Sequence, residues 1–169
     1  METTRIRIRA MEPEDLEDLY AIENDFSVWE LGITNVPYSK YLIHDYIANA
    51  NGDIYHDGQA RMIIENGQHE VVGIIDLTDF SPAHKRAEIG IVIKKEHRQK
   101  GYATEALHLV SHYARRILHL HQLYAVIGCH NEEALRLFSS NGYKVQNRLK
   151  EWLYDGEKYH DAQIMQLFL

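Results

Sequence analysis

Apolar and polar residues alternate along Arg5–Ala10, the period-two pattern of a short strand. Pro13 then predicts the start of a helix running to about Asn24, with Leu16, Leu19, Tyr20 and Ile22 roughly on one face and carboxylates in its first turn. Residues 25–38, with Trp29, Gly32 and Pro37, read as a loop or short helix, and Tyr38–Ile47 as helical with a mixed face. Gln59–Glu65 and Val71–Asp79 read as two strands joined around Asn66-Gly67, a hairpin turn signal. Ala87–Ile93 adds another strand. From Gly101 the period changes: Ala103, Ala106, Leu107, Val110, Ala114, Ile117 and Leu118 form a helical stripe over Gly101–Leu118. Leu123–Cys129 is a predicted strand, Glu132–Asn141 an amphipathic helix stopped by Gly142, and Val145–Tyr154 and Tyr159–Leu169 two strands turned at Asp155-Gly156. Strand, long helix and strand in succession imply a right-handed crossover and a parallel pair. Antiparallel hairpins stand before and after it. The expected class is α+β, a mixed sheet with helices on its faces.

With 169 residues, 45% of them apolar and 25% charged, the chain fits a single domain spanning 1–169 with a core of its own. The net charge is −7 with the 11 histidines neutral, and protonating all of them would bring it to +4. An acidic chain argues against nucleic acid as the main partner and is compatible with a cationic substrate. Cys129 is the one cysteine, so no intrachain disulfide is expected and a reducing compartment is the default. The N-terminal residues lack the apolar core of a signal peptide, and no apolar run approaches the ~20 residues of a membrane span. A cytoplasmic protein with no membrane partner is the expectation.

The segment carrying most chemistry is His97-Arg98-Gln99-Lys100-Gly101-Tyr102-Ala103-Thr104, between a predicted strand and the start of a predicted helix. A helix N-terminus offers free N–H groups and a partial positive charge, and so binds phosphate. Gly101 lets the backbone approach a ligand closely, Ala103 stays small, and Arg98 and Lys100 add positive charge. An ordinary strand-to-helix turn with two solvated cations would read the same way. A second segment changes the balance. Asn131-Glu132-Glu133-Ala134-Leu135-Arg136-Leu137-Phe138, followed by Asn141-Gly142-Tyr143, stands thirty residues beyond Gly101. Together R-x-x-G-x-A and N-x-x-A-x-x-L resemble the two signatures of the GNAT superfamily of N-acetyltransferases, and the resemblance runs along essentially the whole chain. In detail it is similar to the bacterial spermidine N-acetyltransferases, through His84-Lys85-Arg86-Ala87-Glu88, Glu96-His97-Arg98 and Tyr154-Asp155-Gly156-Glu157-Lys158-Tyr159-His160-Asp161.

The resemblance implies a mostly antiparallel sheet flanked by helices on both faces, with one parallel crossover, and acetyl-CoA as cosubstrate. Main-chain groups of Ile91, Val92 and Ile93 would pair with the pantetheine arm. The amides from Arg98 and Gln99 through Lys100, Gly101, Tyr102, Ala103 and Thr104 would cradle the pyrophosphate. Asn131 would contact the pantetheine amide, although it is also a good N-cap for the following helix. The acceptor would be a primary amine, a polyamine first, with a peptide or ribosomal-protein N-terminus as runner-up. A non-catalytic CoA-binding sensor is the alternative outside the enzyme class. A homo-oligomer is possible.

Acetyl transfer requires the amine to lose its proton, because an alkylammonium of pKa ~10 has no free lone pair. Glu88 is the candidate base, acting directly or through a water, since histone-type members of the family carry a glutamate at a similar place. The competing reading is a strand carboxylate paired with Arg86 or Lys94. An N–H near Ile91 would serve the oxyanion. Asp76 and Asp79 would hold a substrate ammonium, as acidic positions do in the polyamine enzymes, or are plain surface aspartates. Spermidine acetyltransferases place an acid, tyrosine, where this chain has Phe138, which packs as well but donates no proton. Tyr102, Tyr143 and Cys129 are nearby in sequence, and thiols also leave unaided. Glu105, His108 and His112 form a helical stripe opposite the apolar face, without the cysteine cluster or HExxH of a zinc site, so no metal is expected.

Overall fold

The computed structural model describes residues 5–29, 36–50 and 52–169. Seven strands make one sheet: β1 (Ile6–Arg9), β2 (Ala60–Asn66), β3 (Val71–Ser81), β4 (Arg86–Ile93), β5 (Gln122–Gly128), β6 (Lys144–Tyr154) and β7 (Tyr159–Phe168). Their order is β1-β2-β3-β4-β5-β7-β6. Only the central pair, β4 with β5, is parallel. The helices are α1 (Leu16–Glu23), α2 (Phe26–Trp29), α3 (Lys40–Asn49), α4 (Ile54–Asp57), α5 (Tyr102–Arg116) and α6 (Glu132–Ser140). The α+β class, the crossover through α5 and both hairpins therefore stand as expected.

Two cores lie on opposite faces of the sheet, as strand alternation demands. On one face Ala87, Ile89, Leu123, Ala125 and Ile127 pack with Ala106, Leu107, Val110 and Ala114 of α5 and Phe138 of α6. On the other, Ile63, Val71 and Ile74 pack with Leu19 and Ile22 of α1 and Ile43 of α3. Each fully buried Leu, Ile or Val contributes ~1.5–3 kcal/mol relative to exposure, so both helical layers are fixed by this patterning. Glu65, buried on the second face, takes hydrogen bonds from Arg7 and Arg9, and Arg9 also meets Asp15, tying the edge strand to the start of α1.

Several boundaries differ from the periodicity. Pro13 opens a 3-10 turn, Pro13–Asp15, before α1 begins. Four-residue α4 carries its own signals, Asp53 as N-cap and Gly58 left-handed at φ 69° after it, but is too short to show a period. The β2–β3 hairpin is not closed by a two-residue Asn-Gly turn. Instead the Asn66 side-chain oxygen accepts the N–H groups of Gln68 and Glu70, both at 3.0 Å, and His69 takes the left-handed conformation at φ 64°. Of the ambiguous stretch 25–38, residues 26–29 form α2, while Gly32 lies outside the described residues.

Candidate active site

β4 and β5 are paired only at Arg86–Gln122, Ala87–Leu123 and Glu88–Tyr124. Beyond that point β4 runs on to Ile93 and β5 to Gly128, and the two strands part. A crevice at the carboxyl ends of parallel strands is where α/β sheets take ligands. Ladder alternation decides what lines it. The N–H of Lys94 donates to Val72 at 2.9 Å, and Ile75 is opposite Ile91, Gly73 opposite Ile93. The polar groups of Val92 therefore face β3, whereas those of Ile91 and Ile93 face the crevice. This corrects the sequence expectation for Val92: its main chain is committed within the sheet. Opposite, Cys129 donates to Asp161 and Leu169 donates to His121, leaving the polar groups of Val126 turned toward β4.

The loop after β4 is shaped for close approach. Arg98 folds back so that its Nε donates to the Ile93 carbonyl at 3.0 Å. Gln99 at φ 59° and Gly101 at φ 84° are both left-handed. The Glu105 N–H donates to the Gly101 carbonyl at 3.2 Å and closes the first turn of α5, so the amides of Tyr102, Ala103 and Thr104 stand at the open end of the helix. Gln99 and Lys100 are exposed beside them. Arg5 joins this group from just before the start of β1. Its Nε donates to Glu105 at 2.6 Å, and its guanidinium lies 5.6 Å from the centre of the Tyr102 ring. A Cβ on Gly101 would sit 2.9 Å from Arg5 Nη2. No local sequence signal connects Arg5 to a loop so distant along the chain. Open amides, a residue without a side chain and clustered cations are the chemistry that suits an anion.

The end of the crevice where β4 and β5 are still paired is acidic. Glu88 and Tyr124 are paired neighbours, and the Glu88 carboxylate accepts the Val126 N–H across the gap. Burial raises the Glu88 carboxyl above its ordinary value, and the charge of Asp79 raises it further. Tyr124 donates its hydroxyl to Asp79. Burial, that bond and the nearby Glu88 push the Tyr124 hydroxyl up. The expected Lys94 partner is instead taken by Asp18. Asp76 requires a correction as a free anion for substrate: its two oxygens take Arg61 Nε and Nη2 at 2.8 and 2.7 Å, and Arg61 also meets Glu23. That carboxylate's charge is committed to Arg61 of β2.

Residues 5–144 match the acetyltransferase (GNAT) domain. The chain belongs to the GNAT acetyltransferase family. It is thus an acetyl-CoA-dependent N-acetyltransferase. It is 27% identical over 163 residues to the spermidine N(1)-acetyltransferase of Escherichia coli K12, covering 96% of this chain and 86% of that protein. Among solved structures, the spermidine N-acetyltransferase of Vibrio cholerae in complex with CoA and spermine superposes with a TM-score of 0.85 at 24% identity, covering 98% of this chain and 96% of that one. A dodecameric structure of the Vibrio enzyme gives 0.81 at 24% identity, with 98% and 95% covered.

Asn131 is the N-cap of α6, its Oδ1 accepting the Ala134 N–H at 3.1 Å, and the turn from Gly128 sets it at the end of β5. Phe138 is 4% exposed and meets Tyr143 edge-on, ring centres 4.9 Å apart. The Tyr143 hydroxyl faces Ser111 of α5 and is pushed up by burial. Tyr102 opens α5 beside the Arg5 guanidinium, and Cys129 follows β5 with its N–H donated to the Asp161 carbonyl. His108 and His112 are exposed on α5, and Glu105 is paired with Arg5. Among the described residues no group of three or more His, Cys, Asp or Glu is arranged to hold a metal ion, and no helix is long and apolar enough to cross a membrane.

Proposed function

We propose that this chain transfers acetyl from acetyl-CoA to a primary amine of a polyamine. The observation that carries the reading is the Glu88–Asp79 carboxylate pair beside the crevice, in a chain whose relatives include spermidine acetyltransferases. The amides of Tyr102, Ala103 and Thr104, with Arg98, Lys100 and Arg5, would hold the pyrophosphate. Gly101 leaves the space, and Gln99 supplies the bend. The crevice-facing groups of Ile91 and Ile93 would pair with the pantetheine arm, and Asn131 would border it with its side-chain amide. Acetyl-CoA supplies a thioester carbonyl open to attack by an amine. Glu88 takes the proton from the attacking nitrogen, directly or through a water. The Ile91 N–H donates to the carbonyl oxygen as charge develops there, and the new C–N bond replaces the C–S bond, CoA leaving as a thiolate that takes a proton from water. Asp79 holds a substrate ammonium. The reading is of one catalytic domain over 1–169, working in a reducing, cytoplasmic setting, and the dodecameric relative supports association of copies.

An acceptor panel tests it. Thiol release with acetyl-CoA is expected with spermidine, spermine and simple diamines, and to be at background with N-terminal peptides of ribosomal type. Release with peptides alone would move the assignment to the runner-up. Tight CoA binding with no acceptor in the panel would make the chain a sensor.

Phe138 defines a further expected outcome. Phe138→Tyr adds one hydroxyl to a ring whose volume hardly changes, at the family's acid position. An unpaired buried hydroxyl costs ~1–3 kcal/mol, so the crevice and its thioester must supply the partner. Thiol release with a polyamine should be equal or faster, with CoA affinity nearly unchanged. A folded variant that binds CoA normally but turns over much more slowly would show that the site works with another acid.

A further inference from the structure

We infer that Tyr124 is a positioning residue for amine transfer, holding Asp79 on the acceptor side of the crevice beside Glu88. The inference rests on the polyamine reading above. Strand alternation alone would send Asp79 elsewhere. Leu77, two residues before it, is buried in the core under α5, and a regular strand puts residues i and i+2 on one face. The register of β3 with β4 instead breaks between Thr78 and Ser81, and Asp79 takes a left-handed conformation at φ 45°. Such bulges re-aim side chains next to active sites, and aspartate is among the few residues that tolerate the conformation. Here the re-aimed carboxylate meets the Tyr124 hydroxyl, and Tyr124 is the parallel-strand neighbour of Glu88.

The arrangement needs a holding group. Two carboxylates close together repel, and Asp79 is exposed, so an unheld side chain would swing toward water. The phenol is a rigid anchor, and its hydrogen bond to a charged acceptor offsets the repulsion. It occupies one of several acceptor positions on Asp79, leaving the others for an ammonium. Asp79 would then seat the non-reacting ammonium of a polyamine while Glu88 serves the reacting nitrogen. Tyr124 touches neither, and acts through Asp79.

Tyr124→Phe keeps the ring and removes only the hydroxyl. KM for spermidine should rise about tenfold, the worth of one hydrogen bond to a charged group. kcat should change little, and the Kd for CoA should stay the same. With a monoamine of similar length the rise should be far smaller, because no second ammonium exists to be seated. Asp79→Asn should raise the spermidine KM at least as much, and the double variant should be no worse than Asp79→Asn alone. An unchanged spermidine KM in Tyr124→Phe, an equal loss with the monoamine, or additive losses in the double variant would each overturn the role of Tyr124 while leaving the polyamine reading intact. A parent enzyme that does not favour polyamines over monoamines would overturn both.

Discussion

A Gly101→Asp chain is expected to fold and to bind acetyl-CoA at least ~100-fold more weakly, since a single lost charge-assisted hydrogen bond already costs ~1.5–3 kcal/mol. Three effects act together. Gly101 sits at φ 84°, so any side chain strains the turn that presents the α5 amides. The new carboxylate would lie among the amides of residues 102–104, where the pyrophosphate charge belongs, and would repel it. Its Cβ would also sit 2.9 Å from Arg5 Nη2, so the carboxylate would capture the guanidinium and take a cation from the site. The fold should survive, because Gly101 is exposed and aspartate tolerates left-handed backbone better than most residues. Calorimetric titration with CoA, alongside circular dichroism, reads both halves of the expectation. A folded variant with unchanged affinity would remove the loop at 98–104 from the cofactor site.

Local chemistry made that loop legible in the sequence, because its glycine, its cations and the strand-to-helix change are adjacent. The same holds for Asn131, whose capping role follows from the four residues after it. Long elements were equally readable, α5 because burial on one face imposes a helical period, and β3 because burial on both faces makes it a nearly continuous apolar run. What the sequence hid are relations between distant segments. Arg5 reaches the loop only because β1 begins beside the start of α5, and Asp76 loses its availability only because β2 brings Arg61 alongside. Tyr124 is one of eleven tyrosines, and nothing near it marks it out. Its role depends on a bulge in β3, where a single extra residue turns Asp79 to the other face. Register breaks of this kind leave no periodic trace. The splitting of β4 from β5 is likewise a property of the sheet as a whole, although the sequence does place both strands.

The second large effect is expected at Glu88. Glu88→Gln should lower kcat by ~10²–10⁴-fold, the usual loss of a general base. CoA affinity should hardly move. Glutamine keeps the shape of the side chain, and its oxygen can still accept the Val126 N–H, so the parting of β4 and β5 is preserved. Stability gives an internal control. Burial and the charge of Asp79 raise the Glu88 carboxyl, so the folded state binds this proton more readily than the unfolded one. Ionised Glu88 therefore costs stability as pH rises through the raised value, and the neutral amide removes that cost. The variant's Tm at pH 7 should be equal or higher, which separates lost chemistry from lost fold. The pH profile carries the sharper test. A carboxylate base works only above its own pKa, so the parent enzyme's activity should climb through a limb displaced upward from the usual carboxylate range. The variant should lack that limb and follow only the acceptor, gaining rate toward pH ~10 as more amine becomes neutral. The gap between the two enzymes should therefore narrow with rising pH. A loss independent of pH, or no loss at all, would return Glu88 to a purely structural part, bridging two strands through Val126.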